Sequence, residues 1–358
     1  MYLAVLPSYR QECMSLLKDR LGDEIRLYVS SAHLDKSVKT GIDASLYTEV
    51  GIRRLFGAKI FLQHGHWLPA LRASTLVLDL NPRSVTAWLL LSLRALLRRR
   101  TLVWGHLYPV RGAGSFTARL RSSMRRMADG TVTYTYSSKA AALEDLPGKP
   151  VWVAPNSLYR AGAIRAVDSG RRDTVLYVGR LAAAKKVGLL VRGFAIYVRH
   201  NPEARLALVG GGAIEEDLRL LVDQLGIAER VEMPGWIEGT EDLQTYYARA
   251  FTTVSPGFAG LGLTQSLGFG VPSAVAKDEP HSPEIELADT GAVSWFESDS
   301  PPALARALSD AWARRSALPL EDVSAKVRTL YSAEAMADGL AAALLDEAQM
   351  TVDENGGI

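Results

Sequence analysis

Short apolar segments alternate with amphipathic segments along almost the whole chain, and this alternation restricts the fold more than any other feature of the sequence. Runs such as Ala58–Leu62, Thr101–Trp104 and Thr174–Val178 have the length of buried strands. Between such runs, Val187–Arg199 and Ile214–Leu225 carry apolar residues at helical spacing. Such strand–helix alternation predicts parallel sheets covered by helices on both faces. We therefore predict an α/β protein.

The alternation is interrupted near the middle of the chain, where residues 161–173 are rich in Ala, Gly and Arg and lack apolar patterning, as is typical of a linker. A length of 358 residues is enough for two cores. We predict an N-terminal Rossmann-like domain over 1–160, a C-terminal Rossmann-like domain over 174–335, and a final helix and tail over 336–358. Two doubly wound domains would face each other across a cleft at the carboxyl ends of their strands.

Composition excludes several classes of protein. The hydrophobic content of 48% and the balance of 41 Lys+Arg against 39 Asp+Glu argue against disorder. The single cysteine, Cys13, excludes a disulfide framework and a multi-cysteine metal site. The apolar run Met1–Leu6 has no basic residue before it, and Val85–Leu93 is far shorter than the roughly 20 residues of a membrane span. These features predict a soluble, cytoplasmic protein.

The balanced charge total hides an asymmetry. Residues 1–160 contain 23 basic and 11 acidic residues, whereas the remainder contains 18 basic and 28 acidic ones. Much of the excess lies in two groups, Arg94, Arg98, Arg99 and Arg100, and Arg119, Arg121, Arg125 and Arg126. With Trp88, the stretch Val85–Leu97 fits a basic amphipathic helix on the inner face of a membrane, and core packing with a solvated end is the alternative. The arginine groups lack the interleaved aromatic residues of a nucleic-acid binder.

The strongest local motif follows the predicted strand that ends at Val178. Gly179 comes next, and Arg180 and Lys185 lie in the loop before a helix. Fixed positive charge beside a helix N-terminus suits a diphosphate group. A solvated basic loop is the alternative interpretation.

Two glycine-rich turns also follow predicted strands. Gly260-Leu261-Gly262 comes after Phe251–Val254 but lacks the G-x-G-x-x-G spacing, so a Rossmann dehydrogenase is poorly supported. Gly210–Gly212 follows Leu206–Val209, and the acidic residues after it argue against a phosphate at that helix start.

In this order, the segments resemble the retaining GT-B glycosyltransferases of family 4. The resemblance covers most of the C-terminal half and rests on Gly179-Arg180-Leu181 with Lys185, Leu208–Gly212, Pro234–Ile237, Gly260-Leu261, Gly270-Val271-Pro272 and Pro283–Ile285. It extends more weakly to Val103–His106, Ala128-Asp129 and Ala154–Asn156. It implies transfer of a hexosyl unit from a nucleoside-diphosphate sugar to a glycan or lipid-linked glycan, with retention, in cell-surface polysaccharide or glycoconjugate biosynthesis.

The resemblance also implies roles for individual residues. Arg180 and Lys185 would clamp the donor diphosphate and stabilise the charge that builds up on the leaving group. The remaining donor contacts would come from Gly235, Trp236 and Ile237 at the nucleobase, Gly260 and Leu261 at the phosphate or sugar, and Gln265 at the ribose. Glu284 would cap or orient the phosphate loop, and an acidic residue at a helix start is the alternative interpretation.

In the N-terminal half, the resemblance places His106 against the donor sugar, and Tyr9 and Arg10 have the position of an acceptor loop. Asn81 follows a predicted strand, so it suits either an acceptor contact or a helix start with Pro82 at the first position. No metal or other cofactor is implied, because no D-x-D motif is present and the pair His64 and His66 lacks a third ligand.

One departure separates this chain from the family pattern. The family's Glu-x7-Glu pair aligns with Gly257 and Gln265, so neither position is acidic. A divergent subgroup with different donor contacts, a pseudoenzyme and a local misalignment each explain the change. Two other functions remain open: a nucleotide-sugar epimerase on the same fold, which needs carboxylates for acid–base chemistry, and a non-catalytic module that binds a sugar nucleotide or glycan.

Overall fold

The computed structural model describes residues 1–31, 41–57, 59–108 and 114–349, which form two compact units. Of the described residues, the first unit combines residues 1–160 with 331–349, and the second comprises residues 161–330. The segment 161–173, predicted as a linker, lies within the second unit. Residues 331–335, predicted to end the C-terminal domain, lie in the first unit.

Within the described residues, the first unit holds a seven-stranded parallel sheet and a separate two-stranded hairpin. The strands are β1 (Tyr2–Leu3), β2 (Tyr28–Val29), β3 (Thr48–Glu49), β4 (Gly51–Leu55), β5 (Ile60–His64), β6 (Leu76–Asp79), β7 (Thr101–Trp104), β8 (Gly130–Thr133) and β9 (Val151–Val153). The helices of residues 1–160 are α1 (Gln11–Leu21), α2 (Trp67–Arg72), α3 (Val85–Leu96), α4 (Phe116–Met127) and α5 (Tyr136–Asp145). The order in the large sheet is β3-β2-β1-β6-β7-β8-β9.

The hairpin β4–β5 departs from the predicted alternation. Apolar patterning predicted a strand at residues 58–62 among the parallel strands, and residue 58 lies outside the described residues. Instead, β5 pairs antiparallel with β4 outside the large sheet. The sequence pattern missed β4 because this strand contains Arg53 and Arg54 and is largely exposed, so it has no apolar face to detect.

The two faces of the first sheet are covered by different helices. Tyr2 and Leu3 are neighbours in β1, and they pack into opposite cores because strand side chains alternate. Leu3 packs with Met14 of α1, and Tyr2 lies in the core that contains Leu90 of α3. Two-sided burial explains why these strands appear in the sequence as short continuous apolar runs.

The second unit contains a six-stranded parallel sheet among its described residues. Its strands are β10 (Thr174–Val178), β11 (Arg205–Val209), β12 (Val231–Gly235), β13 (Ala250–Ser255), β14 (Ser273–Ala276) and β15 (Val293–Phe296). Its helices are α6 (Val187–Tyr197), α7 (Glu215–Gln224), α8 (Thr240–Arg249), α9 (Leu261–Gly268), α10 (Pro301–Ala313) and α11 (Glu321–Leu330). The strand order is β12-β11-β10-β13-β14-β15.

The last described helix, α12 (Ala333–Leu345), packs onto the first unit. It lies against α1 and β9, where Met336 and Leu340 are buried in the core with Leu3. A Cβ added at Gly339 would lie 1.9 Å from the carbonyl oxygen of Val153, so glycine allows the helix to approach the β9 backbone. No helix among the described residues is long and apolar enough to cross a bilayer.

Two of the arginines counted as surface charge are part of the interior. Arg94 is fully buried, and its guanidinium donates to the carbonyl oxygens of Ala70 and Ala73, both at 2.9 Å. Arg125 is also buried and forms an ion pair with Asp145 at 2.5 Å. These two residues join structural elements and do not belong to a solvated basic face.

In each sheet, the strand order reverses at one point. This reversal lies between β1 and β6 in the first sheet and between β10 and β13 in the second. Ligands of open α/β sheets bind outside the carboxyl ends of the strands at such a switch point. The topology therefore selects the segments after residues 3 and 79 in the first unit, and those after residues 178 and 255 in the second.

Candidate functional site

Glycines bring together the two loops that follow β10 and β11. A Cβ added at Gly210, whose φ is +136°, would lie 1.9 Å from the carbonyl oxygen of Gly179. A Cβ added at Gly212 would lie 2.2 Å from that of Leu181. The amides of Gly179 and Leu181 donate to the carbonyl oxygens of residues 209 and 211, both at 2.9 Å. The Gly210–Gly212 motif thus supports the loop that carries Arg180.

The cations of that loop have different surroundings. Arg180 is exposed, whereas Lys185 is half-buried, donates to the carbonyl oxygen of Phe258 at 2.8 Å, and lies 4.4 Å from the centre of the Phe258 ring. Burial and the nearby charge of Arg180 lower the pKa of Lys185 to about 8. The next residue, Lys186, pairs instead with Glu279 at 2.6 Å and Asp299 at 2.8 Å. Lys185 thus joins the two loops of the switch point, whereas Lys186 binds carboxylates.

The N-terminus of α9 lies at the same switch point. A Cβ added at Gly262, in the first turn, would lie 3.7 Å from the carbonyl oxygen of Val178 at the end of β10. The first amides of a helix have no intrahelical acceptor, and the macrodipole makes this end positive. The backbone amides in the first turn of α9, which follow Gly260, therefore lie beside the loop that carries Arg180 and Lys185. Such an arrangement suits phosphate oxygens.

The two positions at which the sequence prediction placed the family's Glu-x7-Glu pair have distinct environments. Gly257 is buried, and a Cβ added there would lie 2.7 Å from the carbonyl oxygen of Ala184. The side chain of Gln265 is 8% exposed, and its Oε1 accepts from the hydroxyl of Tyr247 at 2.9 Å. Backbone contact thus explains the glycine at position 257, and Gln265 is oriented by a tyrosine that motif analysis did not select.

An aromatic side chain is exposed at the end of β12. Trp236 is 60% exposed, and its indole Nε1 would lie 2.8 Å from a Cβ on Gly211. Gly235, with a φ of +82°, turns the chain here, and its carbonyl oxygen accepts from the amide of Gly210 at 2.8 Å. Ile237 follows, half-buried. The residues predicted at the nucleobase thus lie beside the glycine turn after β11.

A histidine outside the predicted set holds the loop before α9. The Nδ1 of His281 accepts from the amide of Ala259 at 3.1 Å, so its Nε2 donates to the carbonyl oxygen of Ala276 at 2.8 Å. Burial lowers the pKa of His281, which favours this neutral form. Glu284 is buried nearby in the chain, in the 3-10 helix Pro283–Thr290. His281 lies two residues before the Pro283–Ile285 motif, and this proximity is the sequence signal that could have identified it.

The switch point of the first sheet opens into a cavity of about 380 Å³. His106 and Arg10 both line it, and the His106 ring lies 4.7 Å from that of Tyr134. His106 is exposed, yet the groups packed around it and the charges of Arg121 and Arg10 lower its pKa to about 4. His106 is therefore neutral near pH 7, so it can donate or accept a hydrogen bond but supplies no positive charge.

The remaining predicted residues of the first unit lie near this cavity or before α3. Tyr9 is half-buried in the 3-10 turn Ser8–Arg10. Asn81 lines the cavity, and its Oδ1 accepts from the amide of Arg83 at 3.1 Å. Ser84 caps α3 by accepting from the amide of Ala87, so Pro82 precedes the helix and is not its first residue. The turn chemistry of Asn81 displaces the expected helix start by three residues.

The pair His64 and His66 forms no metal site in the part of the chain that the structure describes. No group of three His, Cys, Asp or Glu side chains that could hold a metal ion occurs among the described residues. His66 has a φ of +54° before α2, and its ring stacks on Tyr28 at 5.1 Å.

Comparison with known sequences identifies one region of the chain. Residues 165–318 match the family model of Glycosyl transferases group 1. The GDP-mannose-dependent alpha-(1-6)-phosphatidylinositol monomannoside mannosyltransferase of Mycobacterium tuberculosis is 30% identical over 198 residues, covering 48% of this chain and 51% of that protein. The chain spans about half the length of the curated relatives it matches first.

Solved structures match nearly the whole chain. HepE of Anabaena, crystallised with UDP, has a TM-score of 0.64 at 14% identity, covering 96% of this chain and 99% of that one. The lipopolysaccharide outer core galactosyltransferase WaaB has a TM-score of 0.63 at 12% identity, with coverage of 96% and 98%. At sequence identities this low, the structural matches establish the fold alone. This fold confirms the predicted α/β class. The chain therefore contains a glycosyltransferase group 1 domain within residues 165–318 and has the two-sheet fold of the GT-B glycosyltransferases.

Proposed function

We propose that this protein is a glycosyltransferase that moves a hexosyl unit from a nucleoside-diphosphate sugar to a glycan or lipid-linked glycan, with retention of the anomeric configuration. One observation carries the proposal: Arg180, Lys185 and the N-terminus of α9 lie together at the switch point of the second sheet. The GDP-mannose dependence named for the mycobacterial relative and the UDP bound to HepE support a nucleotide-sugar donor.

The chemical role of this site is electrostatic. In the proposed reaction, the bond between the sugar's anomeric carbon and the diphosphate oxygen breaks, and the nucleoside diphosphate leaves with the electron pair. An acceptor hydroxyl forms the new bond to the anomeric carbon, and its proton passes to the released nucleoside diphosphate or to water. Arg180, Lys185 and the first amides of α9 stabilise the negative charge that grows on the diphosphate, an effect worth several kcal/mol in preorganised sites. No metal ion enters this proposal.

The other donor contacts are proposed around the same loops. The nucleobase lies by Gly235, Trp236 and Ile237, and Gln265 bonds a ribose hydroxyl. The amides at Gly260 and Leu261 bind phosphate or sugar, and Glu284 orients the phosphate loop. In the first unit, His106 contacts the donor sugar as a neutral group, in agreement with its lowered pKa of about 4. Tyr9, Arg10 and Asn81 serve the acceptor.

A thermal-shift screen against UDP, GDP, ADP, dTDP and their sugar conjugates tests the donor site. A ligand present at about 100 times its dissociation constant stabilises a fold by about 2.7 kcal/mol. We expect one base class to raise the unfolding temperature, and Arg180→Gln to remove that shift. Lys186→Gln is the matched control, because Lys186 lies in the same loop but binds carboxylates. Failure of every nucleotide to shift the unfolding temperature would contradict the proposal.

The same samples distinguish the epimerase and the binding module from the proposed transferase. An epimerase needs cleft carboxylates for acid–base chemistry, and positions 257 and 265 supply none. Such an enzyme would convert a nucleotide sugar without any acceptor. A binding module would show the nucleotide shift but release no nucleoside diphosphate with any acceptor. Release of nucleoside diphosphate only in the presence of an acceptor supports the transferase.

We further propose that the protein is peripheral at the inner face of a membrane, which it contacts through α3. The buried side of α3 includes Leu90 and Leu91, whereas a stripe at helical spacing is exposed: Leu89, Leu93, Leu96 and Leu97. Leu96 is 80% exposed. The exposed Arg98 and Arg99 follow at the C-terminal end of the stripe. Exposed apolar side chains beside fixed positive charge suit an anionic lipid surface.

Co-sedimentation with vesicles tests the membrane contact. We expect binding to vesicles that contain phosphatidylglycerol and little binding to phosphatidylcholine alone. The variant with Leu93→Gln, Leu96→Gln and Leu97→Gln should lose this binding. Leu143→Gln is the control, since Leu143 is exposed on α5 of the same unit. Equal sedimentation of the triple variant and the control would contradict the contact.

A further inference from the structure

The cavity at the switch point of the first sheet has an unusual surplus of positive charge. Among the described residues, its lining includes three arginines, Arg10, Arg83 and Arg121, and one carboxylate, that of Asp79. Asp79 Oδ2 accepts a hydrogen bond from the amide of Ala4, so part of its acceptor capacity is already used. Since His106 is neutral near pH 7, the lining carries a net positive charge in a partly enclosed space.

Arg10 is the least expected of these cations. It is only 7% exposed, its Nη2 donates to Asn156 Oδ1 at 3.1 Å, and its guanidinium lies 4.5 Å from the Trp104 ring and 5.1 Å from the Tyr134 ring. No carboxylate of the described residues lies within 4 Å of it, and its Nε has no acceptor among them. The carboxylate of Asp79 lines the same cavity, and the charge of Arg10 partly offsets the effect of burial on the pKa of Asp79, although the two form no ion pair. Because a buried charge without an ion pair is costly, a further anionic group in the cavity would stabilise Arg10.

Two further donors of the same lining lack acceptors in the described part of the chain. They are Nε of Arg121, whose Nη1 donates to the carbonyl oxygen of His106 at 2.9 Å, and the indole Nε1 of Trp104. All three unmatched atoms are N–H donors. These N–H groups lie below the cavity surface and add positive partial charge behind it. Together with the arginine charges they favour a negatively charged ligand rich in acceptors, and a phosphate group has both properties.

We propose that this cavity binds a phosphate group carried by the acceptor, so that the acceptor is a phosphorylated molecule. Arg10 supplies a fixed charge that its aromatic neighbours and Asn156 hold in place. Arg121 supplies a second charge from α4, held by its hydrogen bond to the carbonyl oxygen of His106. This inference rests on the proposed function only in naming the ligand as the acceptor. The phosphate belongs either to a soluble sugar phosphate or to a lipid headgroup, which present the same oxygens.

Calorimetric titration of the full chain at saturating UDP or GDP tests the proposal. The probes are glucose 6-phosphate against glucose, and dihexanoyl phosphatidylglycerol below its micellar concentration against dihexanoylglycerol. We expect a phosphate-bearing probe to bind at least about tenfold more tightly than its phosphate-free counterpart, as charge-assisted hydrogen bonds predict. Binding of the sugar phosphate identifies a soluble acceptor, and binding of the lipid alone identifies a headgroup.

Arg121→Gln is the main variant, since a half-buried surface arginine can be replaced with less risk to folding than Arg10. This variant should lower the affinity for the phosphate-bearing probe at least about tenfold. The control is Arg119→Gln, at an exposed position of the same helix, and it should change that affinity less than about twofold. Equal binding by Arg121→Gln and the parent protein, or no preference for phosphate, overturns the inference.

The nucleotide thermal shift of each sample separates the two proposals. If nucleotide stabilises the protein but phosphate gives no advantage, the cavity assignment fails while the donor site stands. If phosphate probes bind and depend on Arg121 but no nucleotide stabilises the protein, the proposed transferase fails while the anion cavity stands.

Discussion

The switch points of the two sheets have the same topology but are built in different ways. In the second unit, the candidate site consists mainly of loop backbone and cations carried by two contiguous motifs, around Gly179–Lys185 and Gly260–Gly262. In the first unit, the cavity is lined by side chains from segments spread between residues 4 and 134. A candidate site made of loop backbone and neighbouring cations leaves a local motif in the sequence. A cavity lined by side chains from separate segments leaves none.

The strongest way to break the comparison is to remove the cations of the second unit. Arg180→Ala or Lys185→Ala should lower turnover about 10²- to 10³-fold, because each removes positive charge from the site of the leaving diphosphate. Initial rates of nucleoside diphosphate release measure the effect, and circular dichroism checks that the fold is kept. Full activity in both variants would show that the clamp assignment is wrong.

Substituting glutamate at position 257 tests whether backbone contact requires a glycine there. Gly257→Glu should destabilise the protein by about 1–3 kcal/mol, because its Cβ would lie 2.7 Å from the carbonyl oxygen of Ala184. Urea unfolding measures the change. Gly188→Ala is the control, since its Cβ would meet nothing closer than 3.7 Å in α6. Unchanged stability of Gly257→Glu would mean that the loop moves freely, contrary to the close packing.

The lowered pKa of Lys185 predicts a pH-dependent donor site. As the pH rises through about 8, the free protein loses this charge, so nucleotide affinity should fall by up to about tenfold between pH 7 and 9. Lys185→Arg should flatten the dependence, because arginine stays charged. Titration calorimetry across this range is the measurement. A parent protein with pH-independent affinity would rule out a role for the Lys185 charge in binding.

The smallest predicted effect comes from replacing His281, which holds the loop before α9. The replacement tests whether the backbone of this loop forms part of the candidate site in the second unit. The pKa of His281 is lowered in the folded state, so its contribution to stability is present above the unfolded value of about 6.5 and is lost as the pH falls through the folded value. His281→Ala should reduce nucleotide affinity a few-fold at neutral pH and remove this part of the acid dependence of the unfolding temperature. His281→Asn, which keeps an acceptor, should recover part of the affinity. Identical acid dependence in His281→Ala would contradict the role of the imidazole.

Sequence patterning predicted the fold class because both sheets are buried on both faces, which leaves short apolar runs separated by helices. It missed β4, since an exposed hairpin strand containing Arg53 and Arg54 has no apolar periodicity. It also treated Arg94 and Arg125 as surface charge. Composition does not reveal that Arg94 donates to a buried carbonyl oxygen or that Arg125 pairs with a carboxylate. Tyr247 and His281 were missed because their hydrogen bonds with Gln265 and Ala259 span 18 and 22 residues of sequence and form only in the folded chain.

By itself, the sequence determined that the chain forms two parallel α/β sheets, that its second half carries the glycosyltransferase motifs, and that cations follow the strand ending at Val178. Only the tertiary structure decided that Lys185 and Lys186 have different partners, that Gly257 contacts backbone, and that Arg10 is buried among aromatic rings beside a cavity. The physical reason is the range of the interactions. Local periodicity and turn chemistry act within a few residues, whereas ion pairs, close backbone contacts and cavities join residues that only the completed fold brings together.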